Sequence, residues 1–106
     1  MNSHVAEPFR SALNSFVPEV DGESVYYRTC PDQHREALRL WIEKGVDPGT
    51  GLKMILAHDL FAVCYCDEST VAELPTLLRW LHNHAPRLCH GSKERVEAWG
   101  KARRTR

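Results

Sequence analysis

Gly45-Val46-Asp47-Pro48-Gly49-Thr50 is the stretch that decides the fold, because it ends one helix pattern and opens the next. Gly45 suits the left-handed position that follows a helix, and Thr50 suits an N-cap. The preceding segment, residues 31–44, begins with a proline, which is tolerated at the first helical position. The sequence therefore predicts a helix over residues 31–44, with an inner face made by Ala37, Leu38, Trp41 and Ile42.

Three further helices are predicted downstream of this break. Residues 50–65 are apolar around most of a helical circumference, which predicts that their helix lies in the centre of the fold. Residues 70–84 have leucines at i, i+3 and i+4 spacing, and Pro75 marks either a separate first turn or a kink. Ser92 is predicted to cap a last helix over residues 93–102.

The two ends of the chain are less regular in sequence. Residues 1–30 form a lead-in, in which residues 7–17 are predicted as a short amphipathic helix and residues 24–29 as extended backbone. Residues 101–106 are predicted to fray as a basic tail. The prediction is thus a single all-α domain over residues 1–106. It is a small bundle of four or five short helices with an extended N-terminal lead-in.

Composition and charge alone point to no class of partner. The 106 residues include 14 Lys and Arg and 14 Asp and Glu, so no global field attracts nucleic acid or an anionic membrane. No apolar run approaches the roughly 18 residues that span a bilayer. The first eight residues lack a secretion or lipidation signal. We therefore expect a cytoplasmic protein without a membrane partner.

The potential metal ligands are poorly spaced. Two ligands at i, i+2 on a helix diverge by about 200°, so neither Cys64 with Cys66 nor His82 with His84 presents both members to one ion. The Cys-x-x-Cys pairs typical of structural zinc are missing. Without a signal peptide, Cys30, Cys64, Cys66 and Cys89 are expected to be reduced thiols. We predict no metal and no cofactor.

Catalysis has candidate residues but no accompanying motif. Cys89 or Cys64 as nucleophile, a histidine as base and Asp59 as orienter are the residue types needed for acyl transfer. No glycine-rich phosphate loop, nucleophile elbow or His-Glu-x-x-His motif accompanies them. The sequence therefore predicts no enzyme activity. Asp59, on a very apolar predicted helix, is expected to accept hydrogen bonds from a neighbouring helix N-terminus or an arginine.

Two surfaces are candidates for binding a macromolecule. Trp80 lies about 100° from Leu81 around the helix, at the edge of the leucine stripe, and an exposed tryptophan beside an arginine is typical of interface hot spots. The predicted partner-binding face consists of Arg79, Trp80, His82 and His84. The alternative is a nucleic-acid contact made by the basic C-terminal end, weighed against a merely solvated tail. Its residues are Lys93, Arg95, Lys101, Arg103, Arg104 and Arg106.

Four short motifs in order along half of the chain resemble a group of small proteins encoded in bacteriophages and prophages. The family pattern is Gly-x-x-Pro-Gly, Asn-Asp-Leu, Tyr-Asn-x-Ala-Pro and Trp-Gly-Ser. This chain has Gly45 to Gly49, then His58-Asp-Leu, His82-Asn-x-Ala-Pro and His90-Gly-Ser. It departs from the pattern at His58, His82 and His90.

The resemblance implies a phage-type accessory protein in the cytoplasm of a bacterial host. Such proteins bind a host or phage macromolecule, and inhibition of a host defence system such as CRISPR is one expected role. The family is uncharacterised and has no assigned enzyme activity or cofactor, so the resemblance suggests neither for this chain.

Overall fold

The computed structural model describes residues 19–20 and 22–105. Its described part is a small helical bundle, which confirms the predicted all-α class. The helix predicted for residues 7–17 lies outside the described residues. The described α-helices are α1 (Asp32–Lys44), α2 (Thr50–Leu56), α3 (Glu68–Ala72), α4 (Leu74–His84) and α5 (Lys93–Arg104). Short 3₁₀ helices at Tyr27–Thr29, Leu60–Cys64 and Arg87–Cys89 lie between them.

The lead-in is only partly extended. β1 (Glu19–Val20) and β2 (Glu23–Ser24) form a two-residue antiparallel pair, in which Glu19 is opposite Ser24. Beyond Tyr26 the chain turns into the Tyr27–Thr29 3₁₀ helix instead of continuing as a strand. The side chain of Tyr27 is buried there, so this segment is part of the core.

The core is organised by three tryptophans whose indole N–H groups reach distant backbone. Trp41 donates to the carbonyl of Cys89 at 3.2 Å, and Trp80 donates to that of Tyr26 at 2.9 Å. Trp99 shares its N–H between the carbonyls of Trp41 and Ile42. Because buried polar groups need partners, these hydrogen bonds let large amphipathic rings fill a small core.

Close approach of α1 and α5 depends on glycine. Gly45 ends α1 in the left-handed region at φ 70°, as predicted. A Cβ atom at Gly45 would lie 2.8 Å from the carbonyl oxygen of Gly100, and one at Gly100 would lie 3.0 Å from the ring of Trp41. Both positions therefore exclude larger residues for packing reasons as well.

The predicted fraying of residues 101–106 is wrong for the described residues, because α5 continues to Arg104. The guanidinium of Arg103 lies 4.4 Å from the ring centroid of Trp99, in cation–π geometry. Arg104 donates to the carbonyl of Gly45 at 2.9 Å. These contacts anchor the last turn of α5 to the body of the protein.

The predicted central helix over residues 50–65 is also wrong, because α2 ends at Leu56. The backbone N–H of His58 donates to Ile55, and that of Asp59 donates to Met54, which is the Schellman hydrogen-bond pattern. His58 takes the left-handed position of that motif at φ 61°. The apolar residues that follow are consequently displaced to the surface, where Leu60 is 88% exposed.

The predicted helix over residues 70–84 is two helices. Asp67 caps α3 through a hydrogen bond from the Thr70 N–H at 2.9 Å, and α3 ends at Ala72. A new helix, α4, begins at Leu74 with Pro75 in its first turn, where the missing N–H costs nothing. Of the two alternatives for Pro75, the structure has the separate helix.

Candidate protein-binding surface

The segment between α2 and α3 exposes large apolar side chains. In its Leu60–Cys64 3₁₀ helix, Leu60 and Phe61 are 88% and 71% exposed, and Tyr65 just beyond is 63% exposed. Because side chains three apart eclipse each other in a 3₁₀ helix, Leu60 and Val63 share one side of it. We call the exposed residues of this region the apolar surface. They are Leu60, Phe61, Val63, Tyr65 and, on α4, Leu78.

A cleft of about 330 Å³ opens in this surface between the 3₁₀ helix and α4. Its apolar lining consists of Ile55, Leu60, Ala62, Val63, Leu74, Leu78 and Leu81. Ile55, Ala62 and Leu81 are nearly inaccessible and form its base, whereas Leu60, Val63 and Leu78 remain exposed. Its polar lining is His58, Asp59, His82 and His90. We call this site the apolar cleft.

Three histidines meet at the apolar cleft. Nε2 of His58 lies 3.1 Å from Nδ1 of His90, so one of these nitrogens donates to the other. Burial, assisted by the neighbouring His58 and Arg95, lowers the pKa of His90 to about 4. His90 is therefore neutral at physiological pH. These three histidines, His58, His82 and His90, are the departures of this chain from the phage pattern, and the fold brings them to one site.

Asp59 positions the apolar segment. Its side chain is exposed and accepts a hydrogen bond from the Phe61 N–H at 2.9 Å. The carboxylate thus caps the 3₁₀ helix that follows it. The expected partner of Asp59 was the N-terminus of a neighbouring helix or an arginine. The observed partner is the N-terminus of the 3₁₀ helix that immediately follows Asp59 in sequence. No burial of Asp59 needs to be compensated.

Trp80 is not exposed, contrary to the sequence prediction. Its side chain is 2% exposed, its ring stacks on Tyr27 with centroids 5.9 Å apart, and its N–H is bonded to Tyr26. The lead-in, whose position sequence periodicity does not reveal, covers the edge of α4 that Trp80 occupies. Trp80 is therefore a core residue, and the predicted hot spot loses its central member.

The other predicted partner-binding residues are divided between two sites. Arg79 and His84 line a shallow depression of about 170 Å³ together with Thr29, Thr76, Trp80 and Asn83. His84 is half-buried there, with its ring centroid 6.0 Å from that of Tyr26. His82 instead lines the apolar cleft. The structure therefore does not bring the four residues to one face.

The basic residues of the alternative site are also dispersed or engaged. Arg103 is only 8% exposed and packs on Trp99. Arg95 donates to the carbonyls of Arg87 and His90, and Arg104 donates to that of Gly45. Lys93 and Lys101 are exposed, whereas Arg106 lies outside the described residues. Guanidinium groups that are held by backbone carbonyls are poorly placed to follow a phosphate backbone.

A wider groove of about 900 Å³ lies on the side of α2 that faces α5. Its charged lining has both signs, and Lys53 is paired with Asp47 at 2.7 Å. Two of its apolar lining residues, Trp41 and Val96, are 2% and 4% exposed, so they offer little surface to a ligand. The apolar cleft, although smaller, offers more accessible apolar side chains.

The cysteines are free thiols. Cys30 and Cys89 are buried, and burial raises the pKa of each to about 12. A thiol of that pKa is protonated at neutral pH and is a poor nucleophile, which disfavours the acyl-transfer interpretation of Cys89. Among residues 19–20 and 22–105, no group of three or more His, Cys, Asp or Glu side chains is arranged to hold a metal ion. Within the same residues, no helix has the length and apolar character required to cross a membrane.

Comparison with known proteins offers no relative. No protein family matches the chain, and no curated protein or solved structure matches it either. Function is therefore inferred from the geometry of the chain itself.

Proposed function

We propose that the protein acts by binding another protein through the apolar surface. The observation that carries this proposal is the exposure of Leu60, Phe61 and Tyr65, at 88%, 71% and 63%, in one short segment. Scattered apolar residues are normal on a protein surface, but large ones clustered beside a cleft mark interaction sites. Apolar surface covered by a partner contributes about 25 cal/mol per Å² before the costs of association.

The local backbone determines the course of the segment that carries the apolar side chains. His58 adopts a left-handed conformation that costs a non-glycine residue about 1 kcal/mol, and Asp59 then caps the exposed 3₁₀ helix. The fold thus presents the side chains of Leu60 and Phe61 to solvent from an ordered backbone. A segment whose backbone is already ordered loses less conformational entropy when a partner covers it.

The biological setting that we propose follows the resemblance to phage and prophage proteins. The protein is an accessory factor that binds a host or phage protein in the bacterial cytoplasm, and a component of a defence system such as CRISPR is one such target. This role requires no catalytic group and no cofactor.

The test is quantitative capture from a bacterial lysate with matched variants. Leu60→Ser and Val63→Ser remove apolar side chains from the cleft. Val46→Ser is the control for Val63→Ser, because Val46 and Val63 are 46% and 47% exposed and Val46 lies in the loop after α1. Exposed positions tolerate such changes with little loss of stability. We expect Leu60→Ser and Val63→Ser to lose the captured protein while Val46→Ser retains it.

Two outcomes would contradict the proposal. Equal capture by Leu60→Ser, Val63→Ser and the wild type would show that the apolar surface is not the contact. Capture that disappears on nuclease treatment, and that instead requires Lys93 and Lys101, would favour the nucleic-acid alternative.

A further inference from the structure

The stretch that carries the apolar surface is also acidic. Between Lys53 and Arg79 the sequence has no lysine or arginine, but it has four acidic residues, which are Asp59, Asp67, Glu68 and Glu73. The net charge of the whole chain is zero, so this stretch is more acidic than the chain as a whole. Such a region attracts cations and repels anions locally, even though the molecule has no net field.

Three of these carboxylates are exposed, and they line the apolar cleft or follow Tyr65 within a few residues in sequence. Asp59 lines the apolar cleft. Asp67 and Glu68 are exposed at the start of α3, just beyond Tyr65. Hydrogen bonds from Thr70 lower the pKa of Asp67, so this carboxylate stays ionised. Two of the acids also approach α1, because Glu73 accepts a hydrogen bond from Gln33 and Ser69, which donates to Asp67, contacts the same glutamine.

Asp59 also lines the wide groove, whose basic residues are Lys53, Lys93 and Arg104, and Arg104 is held by the carbonyl of Gly45. Lys53 is paired with Asp47 at 2.7 Å on the side of the wide groove. Arg79 lines the depression next to Trp80, away from the apolar cleft. Arg95 is held by the carbonyls of Arg87 and His90. The cleft is also lined by three histidines, His58, His82 and His90, and of these His90 is neutral at physiological pH.

We propose that the partner presents a basic amphipathic helix to this surface. Its apolar residues enter the apolar cleft, and its lysines and arginines face Asp59, Asp67 and Glu68. This inference rests on the proposed function and names the chemistry of the partner. The cleft, at about 330 Å³, is at the lower end of the range for ligand pockets, so it suits a few side chains from a helix better than a whole chain segment.

The same surface disfavours other occupants. Anionic lipid and nucleic acid would both be repelled by the carboxylates. A second copy that presented its own apolar surface would bring the carboxylates of the two copies together, so the alternative face to consider is its basic helix, α5. On the exposed side of α5 the apolar residues are Ala98 and Ala102, which are too small to fill the apolar cleft.

Synthetic peptides test the inference directly. Two labelled peptides of about 16 residues share leucines at i, i+3, i+4 and i+7 and differ only in having lysine or glutamate elsewhere. Fluorescence anisotropy with the full-length chain should show at least about tenfold tighter binding of the lysine peptide. That preference should shrink as salt rises from about 50 to about 300 mM.

Matched charge variants locate the contact. Glu68→Lys should weaken binding of the lysine peptide by about fivefold or more, whereas Glu97→Lys on α5 should not. Glu68 and Glu97 are both exposed. Glu68 lies at the start of α3, and Glu97 lies on α5, where it lines the wide groove. Leu60→Ser should weaken binding of both peptides.

The outcomes separate this inference from the proposed function. If lysate capture depends on Leu60 but the glutamate peptide binds as tightly as the lysine peptide, the surface binds protein and the inferred basic helix is wrong. If Leu60→Ser changes neither capture nor peptide binding, both proposals fail. Sedimentation that shows a dimer of the wild type but not of Leu60→Ser would assign the surface to a second copy and overturn the inference.

Discussion

Replacement of Trp80 distinguishes a core residue from a binding residue. Its side chain is 2% exposed, it stacks on Tyr27, and its indole N–H is bonded to the Tyr26 carbonyl at 2.9 Å. Truncation of a buried tryptophan to alanine costs about 3 to 5 kcal/mol, because transfer free energy is lost and a cavity remains. The unpaired Tyr26 carbonyl adds about 1 kcal/mol unless water reaches it.

The variant Trp80→Phe separates these contributions. Phenylalanine retains a ring that can stack on Tyr27 but cannot donate to Tyr26, so we expect a loss of about 2 kcal/mol. Arg79→Ala, at an exposed neighbouring position, is the control and should change the free energy of unfolding by less than about 0.5 kcal/mol. The graded series Arg79→Ala, Trp80→Phe and Trp80→Ala should therefore be monotonic in stability.

Urea unfolding followed by circular dichroism provides the measurement. A common slope m for the variants would confirm that each change acts on the folded state. Since a domain of this size has a total stability of only about 5 to 15 kcal/mol, Trp80→Ala is close to the limit of folding, and Trp80→Phe keeps the test decisive. A loss below about 1 kcal/mol for Trp80→Ala, together with loss of the captured partner, would refute the core assignment and restore the hot-spot hypothesis.

Three other predictions follow from the packing and the charges. Burial lowers the pKa of His90 from 6.5 to about 4, so between about pH 7 and pH 5 the unfolded chain binds a proton that the folded protein does not. The free energy of unfolding, measured by heat or urea, should therefore fall by about 2 kcal/mol over this range. This loss should be absent in His90→Gln. Gly45→Ala should lower the free energy of unfolding by about 2 kcal/mol or more, because its Cβ atom would lie 2.8 Å from the carbonyl oxygen of Gly100. Gly49 has φ 99° and nothing within 4 Å of a Cβ atom, so Gly49→Ala should show only the smaller effect of backbone strain. Titration of labelled duplex DNA at about 150 mM salt should show no binding; saturable binding that Lys101→Ala abolishes would contradict this.

The sequence predicted the parts of the fold that local rules determine. Residues 31–44 gave a helix that is observed over Asp32–Lys44, and Ser92 caps α5 as expected, through a bond from the Arg95 N–H at 3.1 Å. Gly45 has the predicted left-handed conformation. In each case a cap or a glycine coincides with the apolar periodicity, so that two independent signals agree.

The wrong predictions concern segments whose apolar content matches one long helix but whose capping residues interrupt it. Residues 50–65 have the composition of a buried helix, but His58 occupies a left-handed position and Asp59 an N-cap. Asp59 does indicate this helix break in the sequence, because aspartate before an apolar run is a typical N-cap. The burial of Trp80 was not readable, since it depends on where the lead-in packs, and no local pattern in residues 24–29 specifies that contact.

The indole hydrogen bonds also affect when the protein can fold. Trp80 joins α4 to the lead-in, while Trp41 and Trp99 join α1 to the last third of the chain across 48 to 58 residues. A nascent chain that lacks Trp99 has therefore buried none of the α1 surface that α5 covers. Folding of these helices must await the synthesis of α5, and until then the apolar residues of the interior and those around Phe61 are exposed together to the chaperones of the cell.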